Sequence, residues 1–333
     1  MKSRTLFFVE PGKVEIREAE LPALRPGQVL VESLCSAISP GTEMLVYRGD
    51  FPRDLADAND AVSSALNYPL AYGYSCVGRV VETGPEVDAP WKDRLVFAFQ
   101  PHTSHFVADI RSLFSIPNEL SPENACFLPN AETAVNFAQD GAPLLGERAL
   151  VLGQGIVGLL TCALLAEFPL EALVSADRYP RRREASAALG AESLDPAAAD
   201  FHERARRLLG DGADLAFELS GSPAALDDAI ALTRFSGRVI VGSWYGGKRA
   251  PLDLGGSFHR SRIKLISSQV SSIAPEMSAR WDKSRRFEVA WNALRRIRPE
   301  KWVTHRFPLQ KAAQAYALLD RSPAEAIQLL IDY

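Results

Sequence analysis

Cysteine is scarce in this chain of 333 residues. There are four, Cys35, Cys76, Cys126 and Cys162, scattered and with no CxxC pair. That spacing excludes a disulfide-stapled small scaffold and reads as reduced thiols, so a cytoplasmic protein is expected. Net charge is also small, −4 at neutral pH, which gives no reason to expect nucleic acid or an anionic membrane as partner. Long apolar runs are missing. The nearest, Ala149 to Ala166, contains Gln154 and three glycines and reads as a strand followed by a helix, not a membrane span. Near the N-terminus only Leu6 to Val9 are consecutively apolar before Glu10, too few for a signal peptide. No internal repeat or low-complexity segment stands out. What remains is an ordinary globular composition and a length that suits two domains.

The most informative stretch runs from Ala149 to Asp177. Ala149 to Leu152 reads as a buried parallel strand. Gly153-Gln154-Gly155-Ile156-Val157-Gly158 follows and opens an apolar helix, and a second strand, Ala172 to Ala176, ends at Asp177. Each part has a role in holding a dinucleotide. Gly153 permits the tight turn, Gly155 lets the backbone approach the pyrophosphate, and Gly158 lets helix and strand pack closely. The helix N-terminus, with Ile156 and Val157, offers N–H groups and partial positive charge to the phosphates. Asp177 stands where a carboxylate accepts bonds from the adenosine ribose. These residues predict NAD(H), with NADP(H) the alternative that Arg178 and the Arg181 to Arg183 run keep open.

The first 120 or so residues read as β-rich, with strands at Lys2 to Phe8, Lys13 to Arg17, Gln28 to Leu34, Cys76 to Glu82 and Arg94 to Phe99. From about Ser121 helices and strands alternate. Further strands are expected at Glu192 to Leu194, Asp214 to Leu219, Gly237 to Gly242 and Arg262 to Ser268. With the two around the glycine turn they make the six of a doubly wound parallel sheet. The tail holds a helix at Arg286 to Arg296, the segment Val303 to Pro308, a helix at Leu309 to Leu319 and a strand at Ala326 to Ile331.

Three motifs then carry a resemblance: Ser39-Pro40-Gly41-Thr42-Glu43, Gly73-Tyr74-Ser75-Cys76-Val77-Gly78, and the glycine turn with Gly221 and Gly242-Ser243 after later strands. Over nearly its whole length the chain resembles the medium-chain dehydrogenase/reductase superfamily. The resemblance implies an α/β protein with a GroES-like, β-rich catalytic domain (1–125 and 270–333) and a Rossmann domain (126–269). It implies cofactor contacts from Ser220, Gly242 and Trp244, a small-molecule substrate and a homodimer. The superfamily's catalytic zinc takes a thiolate, an imidazole and a third Cys or Glu, whereas the matching positions here are Pro40, Tyr74 and Asn130. The four-cysteine lobe of the structural zinc is missing too, so no metal is expected. Together with Ser268-Gln269-Val270, the motifs look closest to the bacteriochlorophyllide dehydrogenase subgroup, which oxidises a secondary hydroxyethyl group on a large ring.

The expected activity is hydride transfer between nicotinamide and a secondary alcohol or ketone without zinc, with cofactor and substrate meeting between the domains. Thr42 matches the superfamily's proton-relaying hydroxyl, and Tyr74 stands where a zinc-binding imidazole would be. His102 and His105 flank a loop expected to border the cleft, one of them as the onward acceptor. The rival readings are an NADPH-dependent enone or quinone reductase and a non-catalytic dinucleotide-binding protein.

Overall fold

The computed structural model describes residues 1–51 and 67–333. The chain divides into two compact units, one of residues 1–129 and 294–333 and the other of 130–293. The sequence reading placed these divisions at 125/126 and 269/270. The second lies later because Lys283 and Arg286 both pair with Glu132, which ties the segment after residue 270 to the second unit.

The first unit begins with β1 (Lys2–Glu10), β2 (Lys13–Glu20) and β3 (Gln28–Ala37). It continues through α1 (Thr42–Arg48), β4 (Leu70–Ala71), β5 (Cys76–Thr83), β6 (Leu95–Ala98), β7 (His105–Asp109), β8 (Phe114–Ser115) and α2 (Pro122–Ala125). The second unit follows with α3 (Leu128–Gly141), β9 (Arg148–Leu152), α4 (Ile156–Leu165), β10 (Ala172–Ala176), α5 (Pro180–Ala187) and β11 (Glu192–Leu194). Next come α6 (Phe201–Leu209), β12 (Ala213–Glu218), α7 (Pro223–Ala231), β13 (Thr233–Val241), β14 (Lys264–Ser267) and α8 (Lys283–Ile297). Finally β15 (Val303–Pro308), α9 (Ala312–Arg321) and β16 (Gln328–Asp332) complete the first unit.

In the first unit β2-β1-β4 form a small sheet, and β15-β16-β3-β5-β6-β8 run in order through a larger one, with β7 also on β3. β3 is the hub because it pairs with three strands, β5, β7 and β16. Val29 and Val31 pack with Cys76, Val80, Val96 and Phe106. A separate core gathers Leu6, Phe8, Ile38 and Met44 with Tyr316 and Leu329 from the C-terminal elements.

The second unit is a six-stranded parallel sheet in the order β11-β10-β9-β12-β13-β14. Numbered along the chain this is 3-2-1-4-5-6, the doubly wound dinucleotide fold, whose direction reverses beside the first strand. The sequence pattern predicts this sheet because β9, β10 and β12 are covered on both faces and therefore read as continuous apolar runs. Leu150, Val174 and Ala216 face one core, and Val151, Leu215 and Phe217 face the other. Among the described residues no helix is long and apolar enough to cross a membrane.

Candidate functional site

At the end of β9 the chain turns at Gly153 with φ of +92°, and a Cβ there would lie 2.5 Å from the Ser220 Cα. A Cβ on Gly158 would lie 1.9 Å from the Gly153 carbonyl oxygen, so only glycine allows α4 to pack this closely on its own turn. Gly155 differs. It begins α4 with no side chain capping the helix, and the nearest atom to a Cβ there is the Arg182 Nη1 at 4.0 Å. Free space against an uncapped helix N-terminus fits a pyrophosphate.

The Asp177 carboxylate, 7% exposed, braces the turn from the next strand. Its Oδ2 accepts from the Gln154 amide at 2.7 Å and its Oδ1 from the Tyr179 amide at 2.8 Å. Each oxygen keeps a further lone pair for a ribose hydroxyl. Two of the neighbouring arginines, Arg182 and Arg183, are half-buried. Arg182 stacks over the Tyr179 ring at 4.8 Å, and Arg183 donates to the carbonyls of Asp177 and Arg178 at 2.8 Å. Arg178 itself is exposed. Ile156 is buried and Val157 half-buried at the start of α4.

Across the sheet reversal, β12 ends in Glu218, which is fully buried. It accepts from the Ser220 amide at 2.8 Å and from the Tyr245 hydroxyl at 2.5 Å. Burial, and then the Glu218 charge, push the Tyr245 phenol far above its usual range. Ser243 accepts from the Gly221 amide at 2.9 Å, which ties together the loops after β12 and β13. A Cβ on Gly242 would meet the Phe137 ring at 2.3 Å, and Trp244 beyond it is 40% exposed.

The first unit carries a second cluster, built of hydroxyls. Tyr74 donates to Ser39 Oγ at 2.5 Å and approaches Thr42 Oγ1 at 3.4 Å. Burial raises the Tyr74 phenol above its usual range, and the Glu43 charge adds to this, so the group is a donor and not a phenolate. Glu43, one residue after Thr42, is fully buried. Its Oε1 accepts from the Ser39 amide at 2.8 Å, and its Oε2 accepts from Tyr316 at 2.5 Å and pairs with His102 Nε2 at 3.0 Å.

His102 requires a correction. Read from the sequence as a loop residue bordering a cleft, it has no exposed surface and engages Ser36 Oγ at 2.6 Å through Nδ1. Gly73 must be glycine to accommodate it, since a Cβ there would lie 2.9 Å from the imidazole. Sequence reasoning brought Thr42 and Tyr74 together, but it missed Ser39 as their partner. Glu43 both holds this turn and pairs with His102, and nothing in the sequence points to Tyr316 as its further partner. Pro40 has no donor atom, and among the described residues no group of three His, Cys, Asp or Glu side chains is placed to hold a metal.

Residues 157–286 match the family model described as zinc-binding dehydrogenase. Among curated proteins the chain is 28% identical over 272 residues to the (R,R)-butanediol dehydrogenase of Bacillus subtilis, covering 70% of this chain and 75% of that one. It is 25% identical to the 2-desacetyl-2-hydroxyethyl bacteriochlorophyllide A dehydrogenase of Cereibacter sphaeroides, over 100% of this chain and 99% of that one. The second unit thus carries a zinc-binding dehydrogenase domain, and the chain is similar to proteins of the medium-chain dehydrogenase/reductase superfamily. Its fold matches the structure of the alcohol dehydrogenase rspB of E. coli CFT073 complexed with NADH. That match has a TM-score of 0.80 and 18% identity, and covers 100% of this chain and 99% of the other. By this likeness of fold, the first unit is the GroES-like domain and the second the Rossmann domain.

Proposed function

We propose that this protein is an NAD(P)-dependent oxidoreductase that moves a hydride between nicotinamide and a secondary alcohol or ketone without zinc. The observation that carries the reading is the Tyr74, Ser39 and Thr42 cluster, in which three hydroxyls share one site beside Pro40. Nicotinamide, when bound, supplies the hydride acceptor or donor. Gly155 and the start of α4 would take the pyrophosphate, and Asp177 the adenosine ribose. NAD(H) is favoured over NADP(H), because the Asp177 carboxylate would repel a 2′-phosphate.

The hydroxyls do the work that metal does in the superfamily's zinc enzymes. Thr42 Oγ1 donates to the substrate oxygen and stabilises its developing charge, while Tyr74 Oη, re-aimed from Ser39 Oγ, passes it the proton a ketone gains. Ser39 Oγ replaces that proton and is reprotonated by water, and alcohol oxidation runs the same relay in reverse with one proton released to water. Glu43 and His102 hold the Ser39 to Thr42 turn in place from behind. The likeness to the bacteriochlorophyllide enzyme supports a large ring-bearing alcohol as substrate, and a homodimer belongs to the same reading. The test is absorbance at the nicotinamide band with a panel of secondary alcohols, including hydroxyethyl-substituted tetrapyrroles, in the presence of a strong chelator. Turnover with NAD that survives the chelator is expected. Turnover of enones alone, or tighter binding of NADPH than NADH, would overturn the corresponding part.

A further inference from the structure

Among the described residues the largest fully buried side chain is a charged one, Arg286 on α8. A guanidinium has five N–H donors, and here each meets an acceptor. Nε donates to Glu132 Oε1 at 3.1 Å, and Nη2 to the same oxygen at 3.0 Å and to the Val270 carbonyl. Nη1 donates to Asn136 Oδ1 and to the Ser272 carbonyl at 3.0 Å. Lys283, one turn earlier, adds bonds to Glu132 and, at 3.0 Å, to Val270. On the other side of the same segment, Ser268 Oγ donates to Asp140 at 2.5 Å and accepts from Asn136 at 2.8 Å.

These bonds converge on Ser268 to Ser272, the segment that leaves β14. That strand is the edge of the sheet, so the segment has a neighbouring strand on one side alone. Its Ser268 amide bonds the Val241 carbonyl at 3.1 Å, which sets it beside Gly242 to Trp244. β12, β13 and β14 form the second mononucleotide half of the fold, and ligands sit beyond the carboxyl ends of such strands.

We infer that Arg286 and Glu132 are positioning residues for the nicotinamide half of the dinucleotide site. They hold the Val270 to Ser272 backbone at the carboxyl end of the edge strand. Stability alone would not need them, because a buried ion pair is commonly matched by well-packed apolar residues. Lysine has three donors on a single nitrogen and cannot span Glu132, Asn136 and two carbonyls at once. The inference rests on the dinucleotide reading above.

The experiment titrates the full chain with ADP-ribose, which lacks nicotinamide, and with NADH, following each by calorimetry. Arg286→Lys, Arg286→Met and the double variant Glu132→Leu/Arg286→Met are compared with wild type. The double variant leaves no orphaned charge, and its cooperative melt checks folding. ADP-ribose binding within about twofold of wild type, with NADH binding weakened tenfold or more, is expected for the double variant, and an intermediate loss for Arg286→Lys. Equal weakening of both ligands, unchanged NADH binding, or a double variant without a cooperative melt would overturn the inference. A wild-type chain that binds neither ligand would overturn the dinucleotide reading and this inference with it.

Discussion

Thr42 and Tyr74 owe their geometry to residues that do not face the same way. Glu43 receives the Ser39 amide, the Tyr316 hydroxyl and the His102 imidazole, so the turn carrying Ser39 to Thr42 is fixed by a carboxylate with no exposed surface. Removing one partner of a buried pair leaves the other uncompensated, which typically costs about 3–5 kcal/mol. Variants of Glu43 therefore confuse folding with chemistry, and the hydroxyls are the cleaner probes. Thr42→Val and Tyr74→Phe should keep the melting temperature and NADH affinity while lowering turnover. A single well-aimed donor is worth about 2.7–4 kcal/mol in the transition state, or about a hundredfold or more in rate. Steady-state kinetics on a substrate identified by the alcohol panel checks this. Rates within a few-fold of wild type for both variants would move the chemistry elsewhere. Since burial holds the Tyr74 phenol protonated, no step in the rate profile below about pH 10 should vanish in Tyr74→Phe.

The strand–turn–helix element separates two uses of glycine that look identical in sequence. Gly158 is a packing glycine, as its Cβ would sit 1.9 Å from backbone, while Gly155 faces space. Gly158→Ala must displace the turn, at a cost of about 1–3 kcal/mol or more. Gly155→Ala, at φ of −65°, should change stability by less than about 0.5 kcal/mol and still weaken NADH binding at least tenfold. Thermal melts and NADH titration of the pair distinguish them, and a Gly155→Ala protein that binds NADH normally would remove the pyrophosphate from this turn. Elements of this kind are legible because the signal is local: β10 and β11 have the bounds the sequence predicts for them. β13 begins at Thr233, earlier than Gly237, because the Thr233 to Ala213 pairing precedes a register shift that no local pattern announces. The short strands β4, β7 and β8 were missed, being two to five residues long and paired to distant partners. The site divides in the same way. The glycine turn and Asp177 are readable by spacing, whereas Arg286 looks like one more solvated arginine of a charged helix. Its partner Glu132 lies 154 residues away.

For the whole molecule, the question is whether any set of side chains could replace the zinc ligands that Pro40 and Tyr74 do not supply. Zinc needs thiolate, neutral imidazole or carboxylate, three or four together. All four cysteines are buried. Burial pushes the Cys76 and Cys162 thiols up to about 12 and Cys126 well above its usual value, so these are thiols and not thiolates near neutral pH. Cys35 and Cys126 lie 3.4 Å apart, sulfur to sulfur, and among the described residues no third ligand joins them. Of the histidines, His102 has both ring nitrogens engaged by Glu43 and Ser36, and His202 pairs with Asp228 at 2.7 Å. Beside Pro40 and Tyr74, zinc binding would require His102 to give up its buried bonds to Glu43 and Ser36. The purified protein should contain well under one zinc per chain by elemental analysis, and strong chelator should leave both its melting temperature and its turnover unchanged. About one tightly held zinc per chain, with activity lost on its removal and restored on its return, would refute the hydroxyl mechanism.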